Sequence, residues 1–111
     1  MNDPVDQQLR AYNDRDLGAF MKPYGRGVRI EDGDGNLLLK GKTQMRPAYA
    51  ELFRDSPHLH CRVCSRIEVG DWVFTEEQVT GMRVPGGPHE MHAMVAYRIK
   101  KGKIALVRLF V

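Results

Sequence analysis

The stretch VRIEDGDGN, residues 28–36, packs three acids and two glycines into nine positions. Three chemistries compete for it: a calcium loop, a plain hairpin turn, or a strand end presenting a catalytic carboxylate. Asp32, Asp34 and Asn36 imitate the first, third and fifth ligands of a calcium loop. Leu37 then stands where that loop needs glycine, and Thr43 where it needs a bidentate glutamate, so the calcium reading fails. Asp32 is left with two roles. It is either a base held over a pocket or an acceptor that closes the turn before Gly33.

A second run, HLHCRVC at residues 58–64, offers a CxxC pair at Cys61 and Cys64, with His58 and His60 just upstream. Zinc sites of this spacing need a tight turn, and redox CxxC pairs open a helix. No glycine interrupts this run, which reads as strand. Strand geometry sends Cys61 and Cys64 to opposite faces and sets His60 about 13 Å from Cys64 along one face. Such groups do not converge on one ion, and His89 and His92 fail the same test. No metal and no cofactor is expected. Gly25 and Gly27 precede no helix in a phosphate-loop pattern, so nucleotide binding has no support.

The elements that would position these residues are helices first and strands later. Asp3-Pro4 reads as a cap with proline in the first turn, followed at helical spacing by Val5, Leu9 and Tyr12. Asp14 or Asp16 caps a short second helix carrying Leu17, Phe20, Met21 and Tyr24. Residues 28–32 read as a strand and 36–39 as its short partner. A third helix over 43–54 carries Met45, Tyr49, Leu52 and Phe53, with Pro47 awkwardly inside it. Strands are expected at 59–69, 72–83, 89–99 and 103–111. Helices segregated from an antiparallel meander make an α+β fold.

Turn chemistry gives the hairpins a register. A two-residue Gly70-Asp71 turn pairs Val69 with Trp72, Ile67 with Phe74, Ser65 with Glu76 and Cys61 with Thr80. The apolar face is then Leu59, Cys61, Val63, Ile67, Val69, Trp72 and Phe74, and it takes Glu76, Gln78 and Thr80 with it. Glu77 falls on the other face, among arginines, as an ordinary surface charge. A carboxylate on an apolar face needs a partner or a wet cavity. The alternative is a bulge that turns Glu76 outward. At Lys100-Lys101-Gly102 a type I turn with a glycine bulge pairs Ile99 with Lys103 and Val95 with Val107. Met91, Ala93, Val95, Tyr97, Val107 and Leu109 then share one face. Met94, Ala96, Leu106 and Phe110, with Val73 and Val79, form an outer apolar patch that asks for a partner subunit.

Bulk properties fit one domain over residues 1–111, with 42% apolar and 28% charged residues. A net charge of +3 with acids interspersed is thin support for nucleic-acid binding. No apolar run reaches membrane length, and MNDPVDQQLR lacks the basic start and apolar stretch of a secretory signal. A cytoplasmic protein with no membrane partner is expected.

The segments LRAYNDRDLGAFMKPYGRGVRIEDGDG, KGKTQMRPAYAELF and GKIALVRLF together resemble the ketosteroid isomerase branch of the nuclear transport factor 2-like superfamily, which includes SnoaL-type polyketide cyclases. The resemblance covers nearly the whole chain through diffuse, fold-level signals. It implies a cone: a curved antiparallel sheet wrapped around three helices over a deep pocket, dimerised through the sheet. It also implies roles. Asp32 falls at the place of the isomerase base, and Tyr49 at that of a tyrosine supporting the oxyanion hole. The places of the hole's own donors hold Gln8 and Val95, with Tyr12 one turn away as a substitute.

The expected pocket is thus Gln8, Tyr12, Phe74, Glu76, Gln78, Val95 and Tyr97, with Asp32 and Tyr49 as catalytic groups. Each has a plainer reading: Asp32 as turn residue, Tyr49 as core aromatic, Trp72 as packing. The expected function is proton abstraction, or isomerase or lyase chemistry, on a small hydrophobic carbonyl compound. The rival is a non-catalytic ligand-binding or interaction module of the same fold.

Overall fold

The structure is a computed structural model and describes residues 3–111. Helix α1 (Pro4–Asp14) starts as its sequence directs. The Asp3 carboxylate accepts the Asp6 N–H at 2.8 Å, and Pro4 sits where a missing N–H does no harm. Arg15 ends it in the left-handed region, and the Asp16 N–H turns back to the Ala11 carbonyl. Of the two expected caps, it is Asp16 that opens the short α2 (Leu17–Met21), accepting from the Ala19 N–H.

Strand β1 (Tyr24–Asp32) turns into β2 (Leu37–Lys40), which feeds α3 (Gly41–Asp55). Pro47 lies inside α3, two residues deeper than the expected start at Thr43 would place it. The strands β3 (His60–Val69), β4 (Trp72–Thr80), β5 (Met91–Lys100) and β6 (Lys103–Phe110) follow. All six form one curved sheet in the order β2-β1-β6-β5-β4-β3. Among the described residues only the β1–β6 pair is parallel, and β2, α3, β3, β4 and β5 intervene between those two strands. The architecture is the expected α+β one, with the helices packed into the concave side. Phe20, Met21, Met45, Leu59 and Ile104 are its most deeply buried large side chains.

The β3–β4 register corrects the expected faces. Val69 pairs with Trp72, Ile67 with Phe74 and Ser65 with Glu76, as the turn requires. The ladder then slips at Cys64, so that Val63 pairs with Glu77 and Cys61 with Val79. This bulge gives β3 two orientations: Leu59 and Cys61 point inward, while Ile67 and Val69 are more than half exposed at 63% and 61%. Along β4 the buried set is Val73, Thr75, Glu77 and Val79. Trp72, Phe74, Glu76 and Gln78 take the outer face, where Trp72 and Phe74 stack at 5.9 Å and the Arg98 guanidinium lies 5.8 Å from the Trp72 ring. Val73 and Val79 therefore leave the expected outer patch and join the core.

Two turns complete the scaffold. Lys101 and Gly102 both have positive φ, making a two-residue turn that pairs Lys100 with Lys103. The expected longer turn was wrong. Val95 faces Leu109 and Tyr97 faces Val107, a slip of two that leaves the faces of Tyr97, Val107 and Leu109 unchanged. Gly81 ends β4 at φ +74°, and a Cβ there would lie 2.2 Å from the His58 carbonyl oxygen, so only glycine fits. Among the described residues, no helix is long and apolar enough to cross a membrane.

Candidate functional site

Between the helices and the concave sheet lies a cavity of about 360 Å³. Helix α1 contributes Gln8, Leu9 and Tyr12, α2 Phe20, and α3 Ala48, Tyr49 and Leu52. The sheet supplies Tyr24, Cys61, Glu77, Tyr97 and a set of aliphatic side chains. Such a volume is in the range that takes small organic ligands. The aromatic wall is continuous: the Phe20 ring lies 4.7 Å from Tyr49, 5.2 Å from Tyr24, 5.4 Å from Phe53 and 5.9 Å from Tyr12, in tilted or edge-on pairs.

Among the described residues Glu77 is the only charged side chain on this lining. Three neutral donors hold its carboxylate. Oε2 accepts the Thr75 hydroxyl at 2.6 Å and the Tyr97 hydroxyl at 2.8 Å, while Oε1 accepts only the Cys61 thiol at 3.3 Å. Behind Tyr97 the chain continues into the helices. Gln8 Nε2 donates to the Tyr97 oxygen at 3.3 Å and to the Val5 carbonyl, and the Tyr24 hydroxyl donates to Gln8 Oε1 at 3.1 Å. Because Gln8 already donates to the Tyr97 oxygen, the single Tyr97 proton is directed at Glu77. A buried carboxylate met by three donors is solvated by the protein in place of water. A thiol is a weak donor, so Oε1 has the freer lone pair.

The same carboxylate marks its neighbours. Burial first, and then the Glu77 charge, pushes the Tyr49 hydroxyl up to about 12. Burial and the charge on Glu77 also raise the Cys61 thiol and the Tyr97 hydroxyl well above their ordinary values. Tyr12 and Tyr24 are raised too, by burial first. All four tyrosines are therefore protonated donors at neutral pH. Among the described residues, no hydrogen bond engages the hydroxyls of Tyr12 and Tyr49, both on the cavity wall. They are free to donate to a ligand.

Of the expected site residues, Gln8, Tyr12, Tyr49 and Tyr97 meet in this cavity. Asp32 does not. Its carboxylate closes the β1–β2 turn, accepting the backbone N–H groups of Asp34 and Asn36 at 3.0 and 2.9 Å and the Asn36 amide at 3.0 Å. Those Asn36 bonds hold its proton affinity below the ordinary aspartate value, the wrong direction for a base. Phe74, Glu76 and Gln78 lie on the outer face because of the Cys64 bulge. Glu76 there accepts from Ser65 at 3.0 Å and lies 2.7 Å from His92 Nε2, and its proton affinity is lowered by His92 first. Val95 is buried in the core, on the same face as Tyr97, but does not line the cavity. Glu77 was missed, although its β-branched neighbours Val73, Thr75 and Val79, alternating against Trp72 and Phe74, carried the signal for a packed inner face.

The model of the SnoaL-like domain family matches residues 5–107. No curated protein matches the chain. Among solved structures, a cystatin-fold protein from Novosphingobium aromaticivorans superposes with a TM-score of 0.85 at 21% identity, over 96% of this chain and 93% of that one. A proposed polyketide cyclase from Sinorhizobium meliloti gives 0.79 at 18% identity, over 98% and 94%. A Catenulispora acidiphila protein with a ketosteroid isomerase-like fold, in complex with trimethylamine, gives 0.73 at 16% identity, over 97% and 84%. At these identities the likeness is one of fold.

Proposed function

This chain belongs to the SnoaL-like domain family of the nuclear transport factor 2-like superfamily, and on that premise we propose that its cavity performs proton-transfer chemistry on a small hydrophobic carbonyl compound. The observation that carries the reading is a single carboxylate set among neutral donors in an otherwise apolar cavity, with two tyrosine hydroxyls left unengaged beside it. Glu77 takes the role that the sequence resemblance had given to Asp32. Its Oε1 removes a proton from the carbon next to the carbonyl. The Tyr49 or Tyr12 hydroxyl donates to the oxygen on which the negative charge gathers, and Oε1 returns the proton to the same or another carbon. Thr75 and Tyr97 keep the carboxylate aimed while its charge is neutralised and restored.

The test is deuterium exchange into a panel of enolisable ketones in deuterium oxide. General-base catalysis contributes about 10²–10⁴-fold. Glu77→Gln is expected to remove an effect of that size while the protein stays folded. Asp32→Asn is expected to exchange at close to the wild-type rate. Equal exchange in wild type and Glu77→Gln, together with undiminished ligand binding, would return the cavity to the role of a binding module.

A further inference from the structure

The cavity is electrically unbalanced. Among the described residues its lining contains one carboxylate and no lysine, arginine or histidine. The other buried or half-buried acids of the sheet are treated differently: Glu31 is clamped between Arg29 and Arg108, and Glu76 faces His92. Neutral donors stabilise the Glu77 charge without cancelling it. Around it stand the rings of Tyr12, Phe20, Tyr24, Tyr49 and Tyr97, whose π-faces carry negative potential. A buried anion inside an aromatic wall attracts what neither feature attracts alone, an organic cation with an apolar skin.

We propose that this pocket selects small ligands bearing one positive charge, and that its substrates are carbonyl compounds carrying a protonated or quaternary amine. The substrate class rests on the proton-transfer reading above; the charge preference rests on the lining alone. The reaction supports the pairing. Before proton transfer the site holds a Glu77 carboxylate and an ammonium group. After it, Glu77 is neutral, one C–H bond has broken, one O–H bond has formed on Oε1, and the ligand is an internally balanced enolate–ammonium pair. The cavity is neutral at both stages, and the ammonium sits beside the charge that develops. With an uncharged ketone the cavity holds an uncompensated negative charge throughout. The unengaged Tyr12 and Tyr49 hydroxyls serve the carbonyl end, and Glu77 with the surrounding aromatic rings serves the cationic end.

Choline and 3,3-dimethylbutan-1-ol have the same shape and differ in whether the central atom is a charged nitrogen or a neutral carbon. Their dissociation constants for the full chain, measured by NMR titration near neutral pH, test the charge preference directly. Choline is expected to bind at least about tenfold more tightly, because each decade corresponds to a modest electrostatic gain. In Glu77→Gln the preference for choline over the alcohol is expected to vanish. Equal or tighter binding of the alcohol by wild type overturns the proposal, as does failure of both probes to bind. The wild-type comparison stands alone if the variant does not fold. Exchange of simple neutral ketones together with a preference for the neutral probe would sink this inference and leave the proton-transfer reading intact.

Discussion

Glu76 and Glu77 are successive residues of β4, yet one lies against a histidine at the protein surface and the other against tyrosines in the cavity. The contrast extends to the two faces of the sheet. On the outer face each carboxylate finds a cation: Glu76 has His92, and Glu31 has Arg29 at 3.0 Å and Arg108 at 2.8 Å. On the inner face Glu77 finds only hydroxyls and a thiol. A paired cation cancels a carboxylate's charge, whereas neutral donors fix its position and place no counter-charge beside it. A carboxylate in a cavity without a counterion is thus the mark of a site, and a carboxylate between arginines, even a buried one such as Glu31, is a structural ion pair.

Several perturbations sharpen that division, the largest first. The outer face is proposed to carry a homodimer through Phe74, Met94, Leu106 and Phe110. Leu106 lies in register between Arg98 and Arg29, so an acid there would find partners, whereas Met94 neighbours Glu76. Met94→Glu is therefore expected to bury like charges once per subunit and to cost about 3–5 kcal/mol, giving monomer in sedimentation. Wild type that is already monomeric at micromolar concentration would end the dimer proposal.

Gly81 ends the strand that sorts the two glutamates. Gly81→Ala drives a Cβ into the His58 carbonyl at a backbone angle that L-residues avoid, so a loss of about 2 kcal/mol or more is expected in denaturant unfolding. Glu31 comes next. Hydrogen bonds from Arg108 and then Arg29 hold its proton affinity below the ordinary value of 4.5. A carboxyl lowered in the folded state contributes stability above its unfolded value, and that contribution disappears as pH falls through the folded value. Glu31→Gln is expected to cost about 1 kcal/mol at neutral pH. The gap between variant and wild type should close below pH 4.5. Glu76→Gln, on the exposed pair, should leave the unfolding midpoint unchanged.

The sequence made some of this legible and hid the rest for identifiable reasons. Gly70-Asp71 set the first hairpin correctly because a two-residue turn admits one register. The fold class followed from the order of helices and strands, and four pocket residues followed from the family resemblance and from strand alternation. Of the two readings the sequence left open for β4, the bulge that turns Glu76 outward is the one the register bears out. Glu77 was still put on the wrong face, because the bulge at Cys64 involves no glycine or proline and the stacked aromatics Trp72 and Phe74 looked like core. Asp32 was misplaced by its position at a strand end. Only the hydrogen bonds from Asp34 and Asn36 reveal that its carboxylate is spent on the turn.

The most direct test of the account sets the two adjacent glutamates against each other. Deuterium incorporation next to the carbonyl of an exchange-competent ketone is measured for wild type, Glu76→Gln and Glu77→Gln under one set of conditions. The account predicts that Glu76→Gln matches wild type and that Glu77→Gln falls by about 10²-fold or more. Equal rates in the two variants, or a loss confined to Glu76→Gln, would contradict it.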